Sequence, residues 1–226
     1  MSFVQVVETI ESAPARGADR PTVIFDFDGT LADTLSAIIG IVNDHADEFH
    51  IQPLNDRDVE GLRGLSNLEI LRKYNIPLTR LPGLLLRSQK ELHDRMHEVK
   101  LFPGIRDLVL ALKAEGVQMG ILTSNSRENV HKLLRQRDLD VFDFIHSESN
   151  FFGKNRAMNH LMRTRGLKPG KVVYVGDEAR DIEASRRVSI RVIAVSWGFH
   201  RRDVLLKQGP DYMVDSPDEI LAIVLG

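Results

Sequence analysis

The sequence predicts an α/β protein with a parallel sheet and a helical module inserted after the first strand. Two observations carry this. Short apolar, β-rich runs recur at 23–27, 117–122, 142–146, 172–175, 192–196 and 212–214, separated by segments with helical periodicity. Such runs read as strands buried on both faces, which is the pattern of a parallel sheet covered by helices. The alternation then lapses between residues 35 and about 101, where helical patterns continue without a convincing strand.

Taken in order, residues 1–21 read as a flexible leader, small, charged or helix-breaking from Ser12 to Pro21 and without the pattern of a signal peptide. The core is expected at 22–34 and 102–226, and the helical insert at 35–101. Within the insert, "SAIIGIVNDHADEF", "SNLEILRKYN" and "LLLRSQKELHDRMHEV" have helical character, and "LFPGI" marks the return to the core. "GIRDLVLALKAEGV" and "KNRAMNHLMRTRGL" are helices ending at Gly116 and Gly166. In "DSPDEILAIVL", Ser216 is the N-cap, Pro217 the first helical residue and Glu219 the capping-box partner.

Composition narrows the function classes. A net charge of −2 gives no global field for nucleic acid or an anionic membrane. The absence of cysteine excludes disulfides and thiolate metal sites and fits a reducing cytoplasm. No apolar run approaches the ~20 residues needed to span a bilayer.

Chemistry concentrates in "TVIFDFDGTLADT". Residues i and i+2 of a strand share a face, so Asp26 and Asp28 project together where the first strand ends, with Phe27 turned away. Ligands of open parallel sheets bind beyond the carboxyl ends of the strands. Gly29 permits a sharp turn there and Thr30 adds a hydroxyl. Paired carboxylates suit a hard cation such as Mg²⁺, which takes oxygen ligands and retains waters. A turn made of acids is the simpler reading of "DG" alone. The full D-x-D-G-T arises by chance in roughly one chain of this length in 500, which favours a site. Three further signals follow: hydroxyls and an amide after a strand at Thr123, Ser124, Asn125 and Ser126; Lys154 at a helix start; and Asp177 with Asp181 after "VVYVG". Carboxylates for a metal, with a lysine and a hydroxyl to offset charge, make a coherent phosphate site.

At these four motifs the chain resembles the haloacid dehalogenase-like hydrolases, in their phosphoglycolate-phosphatase-like branch. The resemblance runs from Thr22 to the C-terminus and implies a Rossmann-like core. It implies Asp26 as nucleophile, forming an aspartyl-phosphate, and Asp28 as acid and then base. Ser124 and the Asn125 N–H would hold a phosphoryl oxygen, and Lys154 would neutralise charge. Asp26, the Asp28 carbonyl, Asp177 and Asp181 would surround Mg²⁺, with Asp181 reaching it directly, through water or by orienting Lys154. An anionic nucleophile beside Asp28 would raise its pKa and a metal would lower it. The insert takes the place of the family's mobile cap, hinged at Asp33–Thr34 and at 102–104. Three features depart from the commonest pattern: Gly153-Lys154 stands where many members have Lys-Pro, Gly-Asp-Glu stands for Gly-Asp-Ser, and Ser189 replaces a usual glycine.

Other residues have plainer roles beside the functional ones. Arg63 is a candidate to reach substrate from the insert. His93 and His97 have metal-ligand spacing on a helix, but without a third ligand a solvated face is the better reading. Trp197 and Phe199 are expected to pack the core edge. The implied function is a Mg²⁺-dependent phosphatase acting on a small phosphomonoester, phosphoglycolate-like or a sugar phosphate. A sugar-phosphate mutase of the same fold is the enzymatic rival. A phosphate-binding module without turnover is the rival of another class. A dehalogenase needs neither Asp28 nor a metal, and nothing marks Lys73 or Lys90 as the reactive lysine of a phosphonate hydrolase.

Overall fold

The computed structural model describes residues 20–148 and 153–226. The expected leader therefore lies outside the described residues except for its last two positions.

Strand β1 (Thr22–Phe25) is buried on both faces. A two-residue strand β2 (Ala32–Asp33) precedes the helices α1 (Leu35–Asp44), α2 (Ala46–Phe49), α3 (Asp56–Leu62), α4 (Asn67–Lys73) and α5 (Leu81–Arg95). Strand β3 (Lys100–Leu101) returns antiparallel to β2, pairing Ala32 with Leu101 and Asp33 with Lys100. The expected hinge is thus stapled by a short ladder. Its strands are too short to stand out in an apolar pattern, and α3 also escaped the sequence reading. Capping boxes at Asn55/Asp58 and Ser66/Glu69 start α3 and α4.

From there the chain alternates: α6 (Ile105–Ala114), β4 (Met119–Thr123), α7 (Arg127–Gln136), β5 (Phe144–Ser147), α8 (Lys154–Arg165), β6 (Val172–Gly176), α9 (Ala179–Arg187), β7 (Arg191–Val195), α10 (Arg202–Lys207), β8 (Tyr212–Val214) and α11 (Pro217–Leu225). The sheet order is β5-β4-β1-β6-β7-β8, and every pair is parallel. Successive strand residues feed opposite layers. Val23, Phe25, Ile121, Val175 and Ile193 pack with α6, α7 and α11, whereas Ile24, Leu122, Tyr174 and Val192 pack with α8 and α9. Ser189 occupies the left-handed region at φ 58°, where the usual glycine would sit without strain.

The topology positions the site. β1 lies between β4 and β6, with β4 and β5 laid down on one side and β6, β7 and β8 on the other. Segments following β1, β4 and β6 therefore converge at one end of the sheet, and the loop after β7 joins them. This is the switch point of an open α/β sheet. No helix among the described residues is long and apolar enough to cross a membrane.

Candidate active site

Asp26 stands one residue past β1, with its N–H still bonded to Val175 O of β6 at 2.8 Å. Its carboxylate is buried and divided between two donors. Oδ1 accepts the Phe27 N–H at 2.8 Å, and Oδ2 accepts Lys154 Nζ at 2.5 Å. The following residues fold into a tight loop in which the Leu31 and Ala32 N–H groups both return to Phe27 O. Gly29 takes φ +75° there, and a Cβ would fall 2.1 Å from Asp177 Oδ2. Only glycine allows the loop and the β6 carboxylate to come so close.

Asp177 is fully buried after β6. Its Oδ1 accepts the Thr30 hydroxyl at 2.8 Å and its Oδ2 accepts the Phe199 N–H at 2.7 Å. Asp181, one turn into α9, is buried as well. Its Oδ2 accepts the Glu178 N–H at 3.0 Å, and its Oδ1 ion-pairs with Lys154. Lys154, the first residue of α8, thus joins Asp26 to Asp181, and its ammonium lies 5.1 Å from the centroid of the Tyr174 ring.

Asp26, Asp177 and Asp181 each present a carboxylate oxygen within 4.8 Å of the others. Burial pushes Asp26 up to about 7, opposed by Lys154, and raises Asp177 well above the usual carboxylate range, with Glu178, Asp26 and Asp181 adding to it. Burial works against the charge of Lys154, but Asp181 and Asp26 outweigh it and hold the pKa above the ordinary value. Acids in this cluster outnumber cations, and each oxygen keeps a second lone pair. An all-oxygen, buried, charge-deficient set fits a hard divalent cation.

Asp28 faces a different neighbour. Its Oδ1 accepts Asn125 Nδ2 at 2.9 Å, and Thr34 also bonds the carboxyl. Its pKa is raised chiefly by burial, which the Thr34 and Asn125 bonds oppose. The anionic nucleophile expected to raise it from sequence is not the main cause. Asn125 itself is held by Asn129, whose Nδ2 donates to Asn125 Oδ1 at 2.9 Å.

Several expected contacts fall elsewhere. The Thr30 hydroxyl points to Asp177. The Asn125 N–H donates to Thr123 Oγ1 at 2.9 Å. Arg63 lies against the loop after β7, where Nε donates to Phe199 O at 2.9 Å and Nη2 to Gly198 O at 3.0 Å. The guanidinium clasps the insert to the core. His93 Nδ1 bonds Asn129 Oδ1 and His97 Nδ1 bonds Asp94 O, so each ring has a protein partner. Trp197 packs on Phe102 and donates Nε1–H to Thr30 O at 3.1 Å, yet Trp197 and Phe199 also border a cavity of about 270 Å³ above Asp28.

Sequence reasoning missed the contacts that seat the insert. Asn67 Nδ2 reaches Glu178 Oε2 at 3.1 Å, and Gln89 Nε2 reaches Ser124 O at 2.5 Å. Buried His200 accepts the Ala179 N–H on Nδ1 and donates Nε2–H to Leu65 O. Glu178 also holds Arg180 at 2.6 Å, and Arg180 keeps Glu178 ionised against the cost of burial. The capping-box motif "SNLE" and the Glu after Asp177 were the available signals, but neither shows a partner more than 100 residues away.

The family model described as haloacid dehalogenase-like hydrolase matches residues 23–195. A phosphoglycolate phosphatase of Synechococcus elongatus is 38% identical over 203 residues, covering 89% of this chain and 96% of that protein. The pyrophosphatase PpaX of Bacillus cereus is 28% identical over 212 residues, covering 90% and 95%. Among solved structures, one described as a predicted phosphatase from Clostridium acetobutylicum superposes with TM-score 0.79 at 24% identity, covering 91% of this chain and 98% of that one. A haloacid dehalogenase-like hydrolase from Streptococcus pneumoniae superposes with TM-score 0.74 at 23% identity, covering 91% and 98%. At those identities the structures speak for the fold alone.

Proposed function

The chain belongs to the haloacid dehalogenase-like hydrolases and is a phosphatase of that family, and we propose that it hydrolyses a small phosphomonoester through an aspartyl-phosphate on Asp26, with Mg²⁺. The observation that carries this reading is the setting of Asp26. It is buried, bonded to Lys154 at 2.5 Å and grouped with Asp177 and Asp181. A carboxylate so placed is not a surface turn residue.

Asp26, Asp177 and Asp181, with the Asp28 carbonyl, would hold the metal. When bound, Mg²⁺ neutralises charge shared by the carboxylates and the phosphoryl oxygens. The chain's own groups do the rest. An Asp26 oxygen attacks phosphorus in line with the ester oxygen; the O–P bond to Asp26 forms as the P–O bond to the leaving group breaks. Asp28 delivers a proton to the departing alcohol. Its raised pKa suits that task, and Asn125 fixes the carboxyl through Oδ1. In the second half Asp28 takes a proton from water, which attacks phosphorus, releases inorganic phosphate and restores Asp26. Lys154 offsets charge on Asp26 throughout, and Ser124 borders the phosphoryl position. Thr30 acts on the Asp177 carboxylate rather than on substrate. The helical segment 35–101 serves as a lid that excludes water. Arg63, Asn67 and Gln89 fasten it to the core.

A phosphomonoester panel assayed with Mg²⁺, with chelator, and on Asp26→Asn tests the reading. Release of phosphate only in the native, Mg²⁺-loaded enzyme is expected. Full activity with chelator or in the variant would overturn it.

A further inference from the structure

The cavity above Asp28 is lined by two chemically different sets of residues. One carries Asp28, Ser124, Asn125 and Asp177, where the phosphoryl group reacts. The other set forms an apolar wall of Leu35, Ile38, Leu85, Leu92, Phe102 and Trp197. The amide groups of the lid that reach the cavity already have partners: Asn67 Nδ2 is on Glu178 and Gln89 Nε2 is on Ser124 O. Among the described residues, the one basic side chain that borders the cavity is Arg180. It belongs to the core, and its guanidinium is bonded to Glu178 at 2.6 Å. The charged residue on the hinge side, Asp33, is an acid.

A leaving group has to occupy the space between Asp28 and this wall. A carboxylate or second phosphate there would lose water with no lid cation to replace it, and would meet an acid at Asp33 while the one bordering cation, Arg180, is held by Glu178. A methylene chain or small ring would exchange water for leucine, isoleucine and aromatic surface. The cavity, about 270 Å³, is just below the usual range of ligand sites, ~300 to ~1,000 Å³, so the group must be short.

We infer that the leaving group of the substrate is neutral and apolar, a short alkyl or aryl alcohol esterified to phosphate, and not an acid such as glycolate. This rests on the reading of Asp26 and Asp28 as the reacting groups.

The test compares n-alkyl phosphates from methyl to butyl with esters that end in a carboxylate. 2-Phosphoglycolate is set against ethyl phosphate, and 2-carboxyethyl phosphate against propyl phosphate. kcat/KM is expected to rise about fourfold per methylene, the equivalent of about 0.8 kcal/mol. Each carboxylated ester is expected to fall at least about tenfold below its alkyl partner. Leu85→Arg, a change at a partly exposed lid position, is expected to narrow or reverse that preference. Equal or better turnover of the carboxylated esters by the native enzyme would overturn the inference. If no ester is hydrolysed, the hydrolase reading fails separately. Calorimetry with propylphosphonate and 2-carboxyethylphosphonate then decides the pocket: tighter binding of the first supports the inference, and tighter binding of the second overturns it.

Discussion

Lys154→Met keeps most of the side chain's length and removes its charge. The ammonium lies 2.5 Å from Asp26 Oδ2, with both side chains at most one-tenth exposed. At an effective dielectric near 20, unit charges at that separation attract by about 6–7 kcal/mol. Desolvation offsets part of this, and breaking a buried pair typically costs about 3–5 kcal/mol. The loss falls on Asp181, the ammonium's second partner, and on ionised Asp26, which burial already holds at about 7; only the Asp26 share changes between pH 5 and pH 8. Without Lys154 its pKa must rise further. A carboxyl whose native pKa exceeds its unfolded value holds more protons folded than unfolded between the two. Stability therefore falls as pH rises through that window, here from about 4 to beyond 7. In chelator, the variant is expected to lose about 3–5 kcal/mol relative to native protein at pH 8 and clearly less at pH 5, where Asp26 can protonate. Urea unfolding at both pH values measures it. An equal loss at pH 5 and 8, or none at pH 8, would refute the claim that Lys154 stabilises an ionised Asp26.

Gly198→Ala would put a Cβ 2.2 Å from Asp177 Cβ and 2.4 Å from Gly29 O, so Asp177 must move. Mg²⁺ activation is expected to weaken about 10–100-fold, with about 1–3 kcal/mol lost in thermal melts; unchanged activation would place the metal elsewhere. Asp28→Asn is expected to lower kcat about 10²–10⁴-fold with little change in the Mg²⁺ requirement, since the backbone carbonyl remains. Arg63→Ala is expected to alter KM for neutral and anionic esters by the same factor, because its guanidinium holds Gly198 and Phe199. A KM rise confined to anionic esters would put Arg63 on substrate.

The site was legible where chemistry sits at strand ends. An apolar run stopping at Asp26 or Asp177 records a buried strand and a carboxylate at its mouth in one local signal. The capping box at Ser216 and Glu219 is likewise local, and it forms as read. What stayed hidden depends on distant partners. Nothing local tells that Thr30 bonds a carboxylate 147 residues away, or that Arg63 reaches the carbonyls of Gly198 and Phe199. The β2–β3 staple escaped because two residues per strand leave no periodicity. Trp197 was half legible. Its packing at the core edge, against Phe102, follows from its size and strand-end position, but its share in the cavity wall depends on where the helical insert sits.

The central claim is covalent chemistry at Asp26. Quenching the enzyme during turnover with Mg²⁺ and substrate, reducing the acyl phosphate with borohydride and sequencing by mass spectrometry tests it most directly. The account predicts homoserine at position 26 that depends on both Mg²⁺ and substrate. Steady phosphate release with an unmodified Asp26, or the label at another residue, would contradict it.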